Sequence, residues 1–231
     1  MGARLTREET LQIAVMLAAV GGYLDAYTWI MHRVFANAQT ANLVFLWVYA
    51  TAGEWQKALY YVPPLIAFCL GVIMASYLRL LAGSAASRIS ILFEIVFLFV
   101  VAVLHNRVPE LAGTLGISFV AAMQTASFPK VEEWTYSSVM ATSNFRHSIE
   151  GLFAALAMPS AVNRFRRPWV FGNICIAFGI GAALGAFVTK ELPSFSLAIP
   201  VTVLLAVLLR CELGGASMIN RERAADERGL I

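Results

Sequence analysis

The chain has 231 residues, 59% of them hydrophobic and 13% charged, with a mean hydropathy of +0.72. Soluble domains hold about 45–50% apolar and about 25% charged residues, so a soluble globular domain is excluded and an all-α polytopic membrane protein is expected. A formal charge of +3 is too small and too dispersed for a nucleic-acid partner, and a basic cytoplasmic face of a membrane protein accounts for it.

The first apolar segment, about Leu11–Ile30, is longer than a signal-peptide core of about 7–15 residues and reads as a retained span. Thr6, with Glu9 three residues on, fits a capping box opening that helix. Asp25 lies in the helix body. An ionised carboxylate there is costly and faces a cavity or a partner; a solvated place near the outer interface is the alternative.

The next stretch, "FANAQTANLVFLWVYATAG" (Phe35–Gly53), sets a polar head on an apolar body. Thr40–Gly53 as a helix is about 21 Å long, short of a hydrocarbon core of about 30 Å. Five further segments suit crossing helices: Leu59–Leu81, Ile89–Leu104, Leu111–Phe128, Pro168–Thr189 and Leu192–Leu209. Trp29, Trp55, Trp134 and Trp169 fall near segment ends, where interfacial aromatics belong. Glu94 sits near the start of its helix, which suits a solvated position.

Thr142–Met158 is the second ambiguous piece, about 25 Å as a helix and carrying Arg146, His147 and Glu150. Arg146 and Glu150 are spaced to pair on one helix face, either lending charge to an anion pathway or stapling the helix. His147 and Glu150 have a spacing found in metal sites, but two ligands alone do not make one, and no metal is expected. Cys69, Cys175 and Cys211 are far apart and imply neither a disulfide framework nor zinc. No HExxH, GxSxG or comparable set occurs, so neither an enzyme nor a cofactor is expected.

Counting Lys and Arg puts both termini, including the polar tail 212–231, on the cytoplasmic side. This holds for six spans with two re-entrant segments and for eight spans alike, so the two alternatives stay open.

An internal repeat is also visible, repeat one at about 10–106 and repeat two at about 109–211. Thr40–Ala41–Asn42 is echoed by Thr142–Ser143–Asn144, "FCLGVIMASYL" (68–78) by "FGIGAALGAFV" (178–188), and "GGYLDA" (21–26) by "AAMQTA" (121–126). Gly71 and Ala75 thereby fall on Gly181 and Gly185, small-residue positions that let membrane helices approach closely.

"GGYLDAYTWI…ANAQTANLV" followed by "AAMQTASF…TYSSVMATSNFRHSIEGL" resembles the YoaK-like family of uncharacterised bacterial multi-pass membrane proteins. Asp25, Thr40, Asn42, Gln124, Thr135, Tyr136 and Thr142 carry the likeness. Ala41 and Ser143 replace the family's usual Gly, and Thr125 its usual Asn, which makes this a divergent member. The resemblance implies the fold and a place in the bacterial inner membrane; the family has no agreed activity.

If both short segments are re-entrant, each repeat crosses three times and the repeats are inverted. Their half-helix N-termini then meet near the midplane, where the dipoles favour an anion or an acceptor group, as in transporters with broken helices. The expected pathway residues are Asp25, Thr40, Asn42, Gln124, Thr142, Asn144, Arg146 and Glu150. The leading function is transport of a small solute. The alternatives are a structural or assembly subunit built from parallel four-span repeats, and an intramembrane enzyme using Asp25, Glu94 or His147. The expected surroundings are the lipid bilayer and a second copy of the chain, paired through small-residue faces.

Overall fold

The computed structural model describes residues 7–104, 110–158 and 163–226. Helix α1 (Leu11–His32) stops at Arg33, whose left-handed φ of 56° turns its N–H back to Trp29 O at 3.0 Å. The chain then retraces α1. The Phe35 ring stacks on Trp29 at 4.8 Å, Ala36 N–H donates to Thr28 Oγ1 at 3.0 Å, and Asn37 N–H donates to Asp25 Oδ1 at 2.7 Å. The Asn37 amide donates to Gly21 O at 3.2 Å. These partners step from residue 29 to residue 21, so the segment descends to the middle of α1.

Helix α2 (Gln39–Thr51) begins at that depth. Its Phe45 stacks on Trp29 at 5.7 Å, so α2 climbs back toward the end that the chain had just left. Its 13 residues span about 20 Å. The short α3 (Trp55–Leu59) leads into α4 (Val62–Ala82), which has proline in its first turn, and α5 (Ala86–Val103) follows. Phe45 and Tyr49 of α2 both stack on Tyr61, just before α4, at 5.5 and 5.9 Å.

The second half starts with α6 (Glu110–Ser127) and a small antiparallel hairpin, β1 (Lys130–Val131) with β2 (Trp134–Thr135). The hairpin was not expected from sequence. Glu132 N–H donates to Glu9 O at 2.6 Å, fixing the hairpin at the N-terminal end of α1. Val139 lies against Gly21, so the chain moves inward by about 15 Å, counted along α1 from its first residue, Leu11, to Gly21 at about 1.5 Å per residue. There α7 (Ala141–Ala157) begins. It runs back beside α8 (Arg166–Glu191): Cys175 Sγ donates to Ala141 O at 3.9 Å, and Ser148 Oγ donates to Pro168 O at 3.2 Å. Last comes α9 (Ala198–Asp226).

Two close crossings tie the halves together. In α1 against α8, a Cβ on Gly181 would strike the Ala19 backbone, one on Gly22 the Phe178 backbone, and one on Gly185 the Tyr23 carbonyl at 2.6 Å. In α4 against α6, Gly71 meets the Phe119 carbonyl and the Ala122 methyl, and Ala75 is buried. Leaving out side chains at these positions brings backbones into contact where lipid offers no hydrophobic drive for association.

Outward-facing apolar side chains are numerous: Leu80 is 84% exposed, Phe153 74% and Phe187 65%. A soluble monomer rarely shows so much apolar surface. Among the described residues, four stretches, Leu11–His32, Trp55–Val103, Arg166–Glu191 and Pro193–Glu212, are long and apolar enough to cross a bilayer. The chain is an all-α membrane protein.

Several expectations change in detail. Thr6 lies outside the described residues, and α1 follows Thr10, whose side chain makes no capping bond. The last helix begins six residues later than Leu192, because Pro193–Phe195 forms a separate 3-10 turn, and it continues through much of the expected polar tail.

At the end where α1 starts, Ser87 donates to Glu8 at 2.9 Å, Arg88 pairs with Glu212 at 3.2 Å, and Arg166 pairs with Glu132. Burial pushes the Glu8 carboxyl above its ordinary value, against the Ser87 hydrogen bond and the Arg88 charge.

Candidate functional site

The starts of α2 and α7 are built alike. Asn42, the fourth residue of α2, accepts the Phe35 N–H at 2.9 Å and donates to Phe35 O at 2.8 Å and to Gln39 Oε1 at 2.9 Å. Asn144, the fourth residue of α7, donates to Ser137 O at 2.7 Å. Each asparagine thus clips its helix to the strand entering it. The N-cap positions themselves are Ala38 and Met140 and make no side-chain capping bond. The physical need lies one step earlier in the chain. Extended backbone at membrane depth must find partners in the protein, and an amide side chain offers a donor and an acceptor together.

Between the two helix starts lies a cavity of about 760 Å³. Asp25 and Trp29 of α1 form one wall, the entering segment with Gln39 and Thr40 another, and Ala141, Thr142 and Ser143 of α7 face them. Phe68 of α4 and Phe178 of α8 complete it with apolar surface. Of the expected pathway residues, the cavity brings together Asp25, Thr40 and Thr142.

The other expected pathway residues lie elsewhere. Asn42 and Asn144 are buried in their clips. Gln124 is fully buried, with its amide between Leu17 O at 3.3 Å and Ser138 Oγ at 3.4 Å on one side and the Glu94 carboxyl on the other. Glu94 itself is 0% exposed, contrary to the solvated place expected for it. Helix α5 begins at Ala86, so Glu94 lies more than two turns inside and faces α6. Arg146 pairs with Glu150 at 3.2 Å on the outer face of α7, and Glu150 also meets Arg167 at 3.5 Å. With the Arg146 side chain 70% exposed, this network is a surface tie between α7 and α8, and such ties contribute little.

The electrostatics of the two helix starts differ. A helix N-terminus carries about half a positive charge. At α2, Asp25 answers it through the Asn37 N–H. The matching position before α7 is Thr125, whose hydroxyl lies 2.9 Å from Ser137 Oγ, so that start has no carboxylate there. Asn37, Phe68 and Phe178 were not singled out from sequence. Asn37 stood within the polar head, but nothing in its spacing set it apart, and the two phenylalanines looked like ordinary span residues.

Over residues 13–210 the chain matches the family described as a protein of unknown function, DUF1275, and it belongs to that family. No curated protein and no solved structure matches it.

Proposed function

We propose that the protein carries a small solute across the bacterial inner membrane through the cavity between the starts of α2 and α7. One observation carries the reading: two helices start near mid-depth and turn their first residues into one cavity. Helices α1, α4, α5, α6, α8 and α9 are the six crossings, and α2 and α7 are re-entrant. Helix α6 tolerates its more polar composition because its inner positions, Ile117 and Val120–Gln124, are buried.

Matching contacts support an inverted repeat. Asn42 with Phe35 corresponds to Asn144 with Ser137, and Gly71 against Phe119 to Gly181 against Ala19. The Phe45–Tyr61 ring pair corresponds to His147–Phe171 at 4.8 Å. All three fall on the register in which the two halves of the sequence resemble each other. Two inverted repeats around a central site is an arrangement that secondary transporters use for alternating access. The end at which α1 starts also holds Arg79, Arg88, Lys130, Arg166 and Arg167, which supports reading it as the cytoplasmic side.

Liposomes containing the purified protein are expected to take up labelled small solutes faster than empty liposomes. Thr40→Trp, at an exposed position on the cavity wall, is expected to return uptake to the protein-free level while the variant elutes as folded protein. Uptake by wild type no faster than by empty liposomes across a panel of cationic, anionic, zwitterionic and neutral solutes favours the structural-subunit alternative.

A further inference from the structure

We propose that the cavity binds a zwitterion, a small compound with one ammonium and one carboxylate group on an apolar body. Its ammonium sits at Asp25 and Asn37, and its carboxylate at the first turn of α7. The inference rests on the transport reading of the same cavity and adds the chemical class of its occupant.

The acceptor pole is built by two side chains. Among the described residues, Asp25 is the only ionisable side chain lining the cavity. Beside it, Asn37 is 6% exposed and uses its backbone N–H on Asp25 and its amide nitrogen on Gly21 O. Its Oδ1 is buried with no hydrogen-bond partner. A buried amide oxygen without a donor is costly, and an ammonium, with three N–H groups, can serve it and the carboxylate together.

The donor pole faces them. The first N–H groups of an α-helix have no acceptor within the helix. Ala141, Thr142 and Ser143, the first three residues of α7, line the cavity, and two of them also carry hydroxyls. The two helix ends contribute about half a positive charge each, which together balance the one carboxylate. The balance is local: Asp25 sits on the α2 side, leaving that side negative and the α7 side positive. A lone anion meets Asp25, and a lone cation meets the N–H groups of α7. A zwitterion satisfies both poles.

The remaining wall offers Trp29, Phe35, Phe68 and Phe178, which suits an apolar or aromatic body on that dipolar head. The volume of about 760 Å³ lies within the range of about 300–1,000 Å³ of sites for small organic ligands.

The test uses Thr142→Cys in full-length protein lacking Cys69, Cys175 and Cys211, in membranes, with a water-soluble methanethiosulfonate as label. Three probes are compared: phenylalanine, its methyl ester, which keeps only the ammonium, and N-acetylphenylalanine, which keeps only the carboxylate. Phenylalanine is expected to slow labelling about tenfold at ten times its dissociation constant, and the two derivatives to leave it unchanged. Equal or greater protection by either derivative, or none by any probe, overturns the zwitterion inference while the labelling itself keeps the water-filled cavity. A cysteine that never labels removes the cavity reading and this inference with it. Thr40→Cys, on the opposite wall, repeats the measurement should the first variant fail to fold.

Discussion

Gly181→Val is expected to yield little or no folded protein, whereas Gly179→Ala on the same helix leaves the melting temperature unchanged or raised. A Cβ at Gly181 meets the carbonyl oxygen of Ala19, its carbon at 2.7 Å and its Cα at 2.8 Å. These atoms belong to the backbone of α1 and cannot rotate aside. Overpacking a tight contact costs about 1–3 kcal/mol when side chains can yield, and more when they cannot. The crossing recurs at Gly22 and Gly185, so separating the helices at one position opens all three. A Cβ at Gly179 meets nothing within 4 Å, and removing a helical glycine in water stabilises by up to about 1 kcal/mol. Melting of the two variants in detergent, followed by size-exclusion chromatography, measures the contrast. A Gly181→Val protein that melts with wild type contradicts the crossing.

Asn42→Leu is expected to lower stability strongly, and Asn144→Leu by less. Replacing Asn42 leaves the Phe35 N–H and C=O without their partners. Each unsatisfied buried group costs about 1–3 kcal/mol, so the pair amounts to about 2–6 kcal/mol, toward the lower end where the cavity lets water reach Phe35. Asn144 makes one such bond, to Ser137 O, and its Oδ1 is already unpartnered. The expected order of melting temperatures is therefore wild type, then Asn144→Leu, then Asn42→Leu. The reverse order contradicts the clip geometry.

Both asparagines show what a sequence can and cannot carry. Composition reports burial in lipid, and a short segment with a polar head reports that the backbone does something other than cross. Both signals were visible at Phe35–Gly53 and Thr142–Met158. The small residues at 71, 75, 181 and 185 were visible for the same reason, because an approach of backbones leaves its mark at a fixed helical spacing. The asparagine clips were not: they join a helix to a residue seven positions earlier across an extended turn, and no helical or strand period encodes that.

Burial of Glu94 was equally hidden. Whether a carboxylate near a helix start meets water or a neighbour depends on where the helix begins and which face it turns to α6. Those are matters of packing between distant parts of the chain. The hairpin at 130–135, with two residues in each strand, is too short for alternation to appear. The cavity itself is a meeting of Asp25, Asn37 and Thr142 from three separate elements, and only its Asp25, Thr40 and Thr142 could be guessed singly.

The central claim is that α2 turns back instead of crossing, and the side of the membrane reached by the segment after it decides this. Gln56, exposed in α3, is replaced by cysteine in a background lacking Cys69, Cys175 and Cys211, and treated in intact cells with a membrane-impermeant thiol label. A second cysteine at Glu133, exposed in the hairpin, marks the side at which α1 starts. The account predicts labelling of residue 56 in intact cells, with residue 133 labelled only after the membrane is opened. Labelling of residue 56 only after opening makes α2 a full crossing, and no pair of half-helices then meets at mid-depth.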